Sequence, residues 1–200
     1  MQIIRSDAFG GRKVVFDSII DEVPGGAGLN VDRLDYEAVG KEYIEEGTPV
    51  YFVPSTRVAE VCKSALAIDG GGATTPRISK KNHFLAGDFM GDGTTTALIT
   101  AIDRLTSEDY DIVTVNTALI YAAGTKYVEG TVTGTSAVLK YSPNGLVRSP
   151  EYIHNGNADV PIVTIGSVRE DALTYPLPDL YKIALRGGVS GTGKSLITVN

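Results

Sequence analysis

Tryptophan is absent from this 200-residue chain, cysteine occurs once, and histidine and methionine occur twice each. Each shortage closes a class of function. The single Cys62 allows neither an intramolecular disulfide framework nor a cysteine zinc cluster. It lies in the strand-like run Arg57 to Lys63, where a small buried hydrophobe is expected. Without tryptophan there is no indole platform for a sugar, although the tyrosines, which dominate the aromatics, could still form one. His83 and His154 each stand beside turn residues with no second histidine or cysteine near in sequence, so a satisfied or exposed role is expected for both. No run approaches the ~18 apolar residues of a membrane span, and Arg5 and Asp7 interrupt the opening stretch MQIIRSDAFGGRK. No targeting segment is recognisable, and synthesis in the cytoplasm is expected. Lysine and arginine form no block, and the formal net charge is −6. That balance argues against nucleic acid or an anionic membrane as the main partner and leaves a positively charged protein surface open.

The chain does have turns, in abundance. Its 23 glycines punctuate short runs rich in β-branched residues. The clearest stretch runs from Asn82 to Val115: a Gly/Asp cluster from Gly87 to Gly93, a strand signal from Ala97 to Asp103, polar Thr106 to Asp109, then a second strand signal from Asp111 to Leu119. Val113, Val115 and Leu119 fall on one face at period two and Thr114 and Asn116 on the other, as a half-buried antiparallel strand requires. Further strands are expected at Lys13 to Ile20, Pro49 to Val53, Thr56 to Ala67, Arg77 to Lys81, Lys126 to Thr133, Ala137 to Tyr141, Val160 to Val168 and Ser195 to Val199. Pro178 followed by Asp179 to Leu185 and Gly187 has the polarity of a short helix. The expected fold is therefore mainly β, a small β-barrel or sandwich of short antiparallel strands with one or two short helices and an N-terminal arm. The arm spans residues 1–28, the main β domain 29–150, and a C-terminal β segment with the helix 151–200, packed on the same domain. Leu29 to Glu46 reads as linker with at most one helical turn. The Lys13 to Ile20 strand sits between Gly10-Gly11 and Pro24-Gly25-Gly26 and must pair with the main sheet, a neighbouring subunit or another partner.

Several motifs carry possible chemistry. Gly188 to Ser195, GVSGTGKS, matches the phosphate-binding pattern G-x-x-x-x-G-K-S at each fixed position. That pattern works at the start of a helix, whereas Leu196 to Asn200 are five residues with three β-branched, so a hairpin loop is expected. Asp88 to Gly93 resembles part of a calcium loop, but Met90 and Ile99 occupy ligand positions and a turn is preferred. Asp109 and Asp111, flanking Tyr110 before a strand, are expected to cap a turn. No nucleophile elbow G-x-S-x-G occurs. No catalytic residue, metal ligand or cofactor site is assigned, and the protein is expected not to be an enzyme.

The order Val14 to Ile20, then Gly25 to Leu29, Gly47-Thr48-Pro49-Val50, Ser55-Thr56-Arg57, His83-Phe84, Gly87-Asp88-Phe89, Ile99 to Asp103 and Asp109-Tyr110-Asp111 resembles the head fibre proteins of tailed phages and prophages of gut Bacteroidales. So do Leu139-Lys140-Tyr141, Pro143 to Leu146, and the Gly166 to Leu173 stretch before Pro178. More distantly, the Gly-Thr-Pro-Val run is similar to lambda-type head decoration proteins. The resemblance spans nearly the whole chain, with Gly187 to Ser195 departing from it, and carries turn and strand signatures rather than catalytic residues. It implies a homotrimeric β module on the outer capsid surface of a virion, made in the host cytoplasm and bound to the major capsid protein. It also implies the arm as candidate capsid or subunit contact, through Ile3, Ile4, Phe9, Val14, Phe16 and Ile19. The alternative from the residues is a carbohydrate-binding module for host-surface glycans, set on the same virion.

Overall fold

The computed structural model describes residues 14–36, 42–134, 139–153, 156, 158–187 and 196–200. The strands in chain order are β1 (Phe16–Glu22), β2 (Ala27–Leu29), β3 (Tyr43–Ile44), β4 (Pro49–Val53), β5 (Val58–Val61), β6 (Ser64–Ile68), β7 (Arg77–Ser79) and β8 (Phe89–Gly91). There follow β9 (Thr96–Asp103), β10 (Tyr110–Val115), β11 (Lys126–Gly130), β12 (Gly145–Val147), β13 (Glu151–Tyr152), β14 (Asp159–Val160), β15 (Ile162–Val168) and β16 (Leu196–Val199), with the one α-helix among the described residues, α1 (Asp179–Leu185), before the last strand. The fold is mainly β with curled antiparallel sheets, as the alternation and turn spacing predict.

Two strand systems share the chain. Strands β10, β7, β6, β11, β8 and β9 close into a six-stranded barrel, filled by Ala65, Ala67, Ile78, Phe84, Met90, Ile99, Val113, Val115 and Tyr127. Val113 and Val115 point inward and Thr114 outward, so the period-two reading of this strand holds. Eight more strands form a sheet in the order β1-β15-β12-β4-β5-β2-β14, with β16 parallel to β15, and β3 and β13 pair as a separate ribbon. One residue, Pro161, joins β14 at the far end of this path to β15 near its start, so the sheet curls back on itself. Its core holds Leu29, Val31, Leu34, Ile44, Val50, Phe52, Ala59 and Ile162. A third cluster, with Cys62, Val128, Leu146, Val168, Leu177, Tyr181, Leu185 and Ile197, lets α1 wedge between sheet and barrel.

Three expectations are corrected. The Thr56 to Ala67 run is not one strand: Thr56 and Arg57 belong to a turn, and the chain breaks at Cys62-Lys63, leaving β5 in the sheet and β6 in the barrel. Cys62 N–H bonds to Pro49 O at 2.9 Å, while Lys63 O accepts from Glu129 N at 3.1 Å and Tyr181 Oη at 2.8 Å, so the break satisfies its own backbone. Val160 to Val168 likewise divides at Pro161, which has no N–H for a ladder. Leu29 to Glu46 is more than linker, because Leu29, Val31, Leu34 and Ile44 are all buried. The Lys13 to Ile20 signal becomes β1, and of the partners open to it the structure selects the main sheet, through β15. Strands from residues 14–28, 29–150 and 151–200 all contribute to that sheet.

Candidate interaction surface

β1 begins beside buried Val15, and Phe16 packs half-buried onto the cluster around Val168. Beyond Phe16 the strand leaves the core. Asp17 to Asp21 are exposed on both faces, with Ile19 40% and Ile20 74% accessible. Three register shifts, between Phe16 and Ser18, between Ile19 and Asp21 and between Asp21 and Glu22, accompany this, and such bulges bend and twist a strand. The inner edge is well fastened: Ser18 Oγ and Ser167 Oγ lie 2.9 Å apart, Asn200 Nδ2 donates to Asp17 at 3.1 Å, and Arg148 pairs with Glu22 at 2.9 Å. Of the six residues assigned to contact, Val14 is half-buried, Phe16 is packed inward and Ile19 is presented to solvent. Ile3, Ile4 and Phe9 lie outside the described residues. Ile20, the most exposed apolar side chain of the strand, was not singled out, since alternation alone does not reveal a bulge.

The charged residues inside the molecule form clusters that the sequence did not announce. Lys63, wholly buried, donates to Asp88 Oδ2 at 2.5 Å, and the same oxygen accepts from Leu85 N at 2.8 Å. Burial pulls the Lys63 ammonium below its ordinary pKa, and Asp88 opposes that pull. Glu129, 1% exposed, receives Arg33 and Lys140, and Arg33 also reaches Glu60 at 3.1 Å. Burial works against the Arg33 charge, yet Glu129 beside it leaves the pKa raised. Arg33 also stands 4.8 Å above the Tyr141 ring, itself stacked on Tyr51. In the barrel, buried Asp111 holds Arg104 and Lys80 and accepts from Asn82 Nδ2 at 2.9 Å, and Arg104 extends to Asp35 at 2.8 Å. The expectation that Asp111 caps a turn is therefore wrong. Asp103 makes that cap, accepting from Leu105 and Thr106 N–H, while Asp111 already sits within β10.

The other motifs resolve as follows. Asp92 accepts from Thr94, Thr95 and Ile120 N–H, so the calcium-like stretch spends its carboxylate on the loop backbone. No group of three or more His, Cys, Asp or Glu among the described residues is placed to share a metal ion. His83 is buried with Nε2 2.8 Å from Tyr175 Oη, the satisfied role expected; His154 and the Gly188 to Ser195 motif lie outside the described residues. Cys62 is buried as expected, and burial pushes its thiol well up, away from thiolate chemistry. An open cleft of about 480 Å³ lies between Asp92, Thr94, Thr125, Lys126, Asp179 and Leu180, with Lys126 already held by Glu170 at 2.6 Å. Tyr43 and Tyr152 present half-exposed rings edge to face, 5.1 Å apart, on the small β3–β13 ribbon. No described helix is long and apolar enough to cross a membrane. Comparison with protein-family models, with curated proteins and with solved structures finds no match to this chain.

Proposed function

We propose that this protein is a non-enzymatic virion structural protein, a trimeric head fibre or capsid decoration module seated on the outer surface of a phage capsid. The observation that supports this reading best is β1, a seven-residue edge strand carrying exposed Ile19 and Ile20. Its partner is the major capsid protein, and its mechanism is binding. Three copies about a capsid threefold repeat each contact, so that modest single contacts hold through effective concentration. The motif resemblance to Bacteroidales head fibre proteins supports the same reading, and the paired internal charges suit a scaffold.

The test is co-sedimentation with particles assembled from a Bacteroidales phage major capsid protein, alongside absolute mass by light scattering. Trimers that saturate the particles, with binding lost on deletion of residues 1–13, are the expected result. That deletion spares β1, whereas removing the whole arm to residue 28 would strip β1 from the sheet. Monomers that ignore the particles overturn the reading. A second reading, a carbohydrate-binding module, draws on the exposed Tyr43–Tyr152 pair, since tyrosine faces stack on sugar rings. Retention on mucin that Tyr43→Ala and Tyr152→Ala abolish would select it.

A further inference from the structure

The edges of the large sheet are unequal. β14 at one end is two residues long, β16 lies against α1, and β1 runs seven residues with no strand on its outer side among the described residues. A long edge invites pairing, and proteins control it with charge and with bulges, both of which β1 carries. Here the charge is one-signed: Asp17, Asp21 and Glu22 lie on β1. Two copies of β1 brought together about a twofold would therefore oppose acid to acid, which disfavours edge-to-edge dimers. Residues 1–13 have the opposite balance, with Arg5, Arg12 and Lys13 against Asp7 alone.

The match extends to register. Ile3-Ile4-Arg5 aligns in parallel with Ile19-Ile20-Asp21, isoleucine beside isoleucine twice and arginine beside aspartate. A tight hairpin at Gly10-Gly11 within one chain would be antiparallel and would set Ile4 against Asp17 and Arg5 against Phe16, losing both matches. A parallel neighbour needs a crossover of a dozen or more residues, while only the short stretch from Ser6 to Val15 separates Arg5 from Phe16. The arm therefore suits another molecule better than its own, and 13 extended residues reach roughly 40 Å.

We propose that the outer edge of β1 is a strand-addition site filled by residues 3–5 of a second copy of this chain, parallel, with Ile4 beside Ile20. This deepens the trimeric reading above and rests on it for the number of copies. Arm-to-edge contact is head-to-tail, so it closes into a ring when the rotation permits.

Thiol cross-linking at matched positions tests it. Equal amounts of Ile4→Cys and Ile20→Cys chains are mixed and treated with a short bifunctional thiol reagent, the native Cys62 being buried. The expected product is a covalent dimer, reduced at least tenfold when Leu105→Cys, at an exposed position on the barrel, replaces Ile20→Cys. Thermal unfolding of each variant close to that of the parent confirms that the edge is intact. No dimer in the mixture overturns the proposal, whether the Ile4→Cys/Ile20→Cys double variant links within single chains or not at all. Capsid binding without the cross-link would sink this inference and leave the virion reading standing; the cross-link without capsid binding would do the reverse.

Discussion

At the residue scale, the positions most sensitive to loss of a partner are the buried charges. Asp111 has no exposed surface and gathers Arg104, Lys80 and Asn82 on one carboxylate. Asp111→Ala takes the buried partner from two cations that keep some solvent contact, Arg104 also keeping Asp35, so the loss should fall below the roughly 3–5 kcal/mol of breaking a fully buried pair. Urea unfolding should show that loss, with Asp111→Asn retaining part of the stability through its hydrogen bonds. A different dependence follows from Glu170, which pairs with Lys126 at 2.6 Å and Lys182 at 2.7 Å. Partial burial would raise its pKa, but the two ammonium groups hold it below the ordinary glutamate value. A depressed carboxylate pKa contributes stability above the unfolded value of about 4.3, lost as pH falls through the folded value. The melting temperature of Glu170→Gln should therefore lie below the parent's at pH 6 and converge on it as the pH drops under about 4. A gap constant across that range would show that the charge contributes nothing.

At the element scale, the attachment of β1 depends on a position where only glycine fits. A Cβ on Gly166 would lie 2.5 Å from Ser18 O on the neighbouring strand, a backbone atom that cannot swing aside. Gly166→Ala should therefore push β1 away from β15 at a cost of about 1–3 kcal/mol. Hydrogen exchange separates this from general loosening: amides of Phe16 to Glu22 should lose protection while those of Val113 and Val115 in the barrel keep theirs. Equal loss in both places would mean that β1 is not a separable edge. Individual elements were legible where alternation is clean, as in β10, and where ends are marked by proline or glycine, as in β4 and α1. The break at Cys62-Lys63 was not, because neither residue is a turn former; two backbone hydrogen bonds and one from the Tyr181 hydroxyl, all to distant parts of the chain, hold it.

At the scale of the whole molecule, sheet and barrel are tied by the Cys62-Lys63 crossing, by α1 and by the Arg33–Glu129 pair, which joins a loop beside β2 to β11 across 96 positions of sequence. The formal net charge is −6, while residues 1–13 carry three basic side chains against one acidic. By itself the sequence determined the class of the fold and most of its strands, since side-chain period and turn chemistry are local properties. It also set the expectations that follow from one cysteine, no tryptophan and no basic block. Tertiary structure alone decided which strands share a sheet, that Asp111, Glu129 and Lys63 are buried and paired, and that Ile20 rather than Phe16 faces outward. Partner choice and burial depend on residues far apart in the chain, which local pattern does not record.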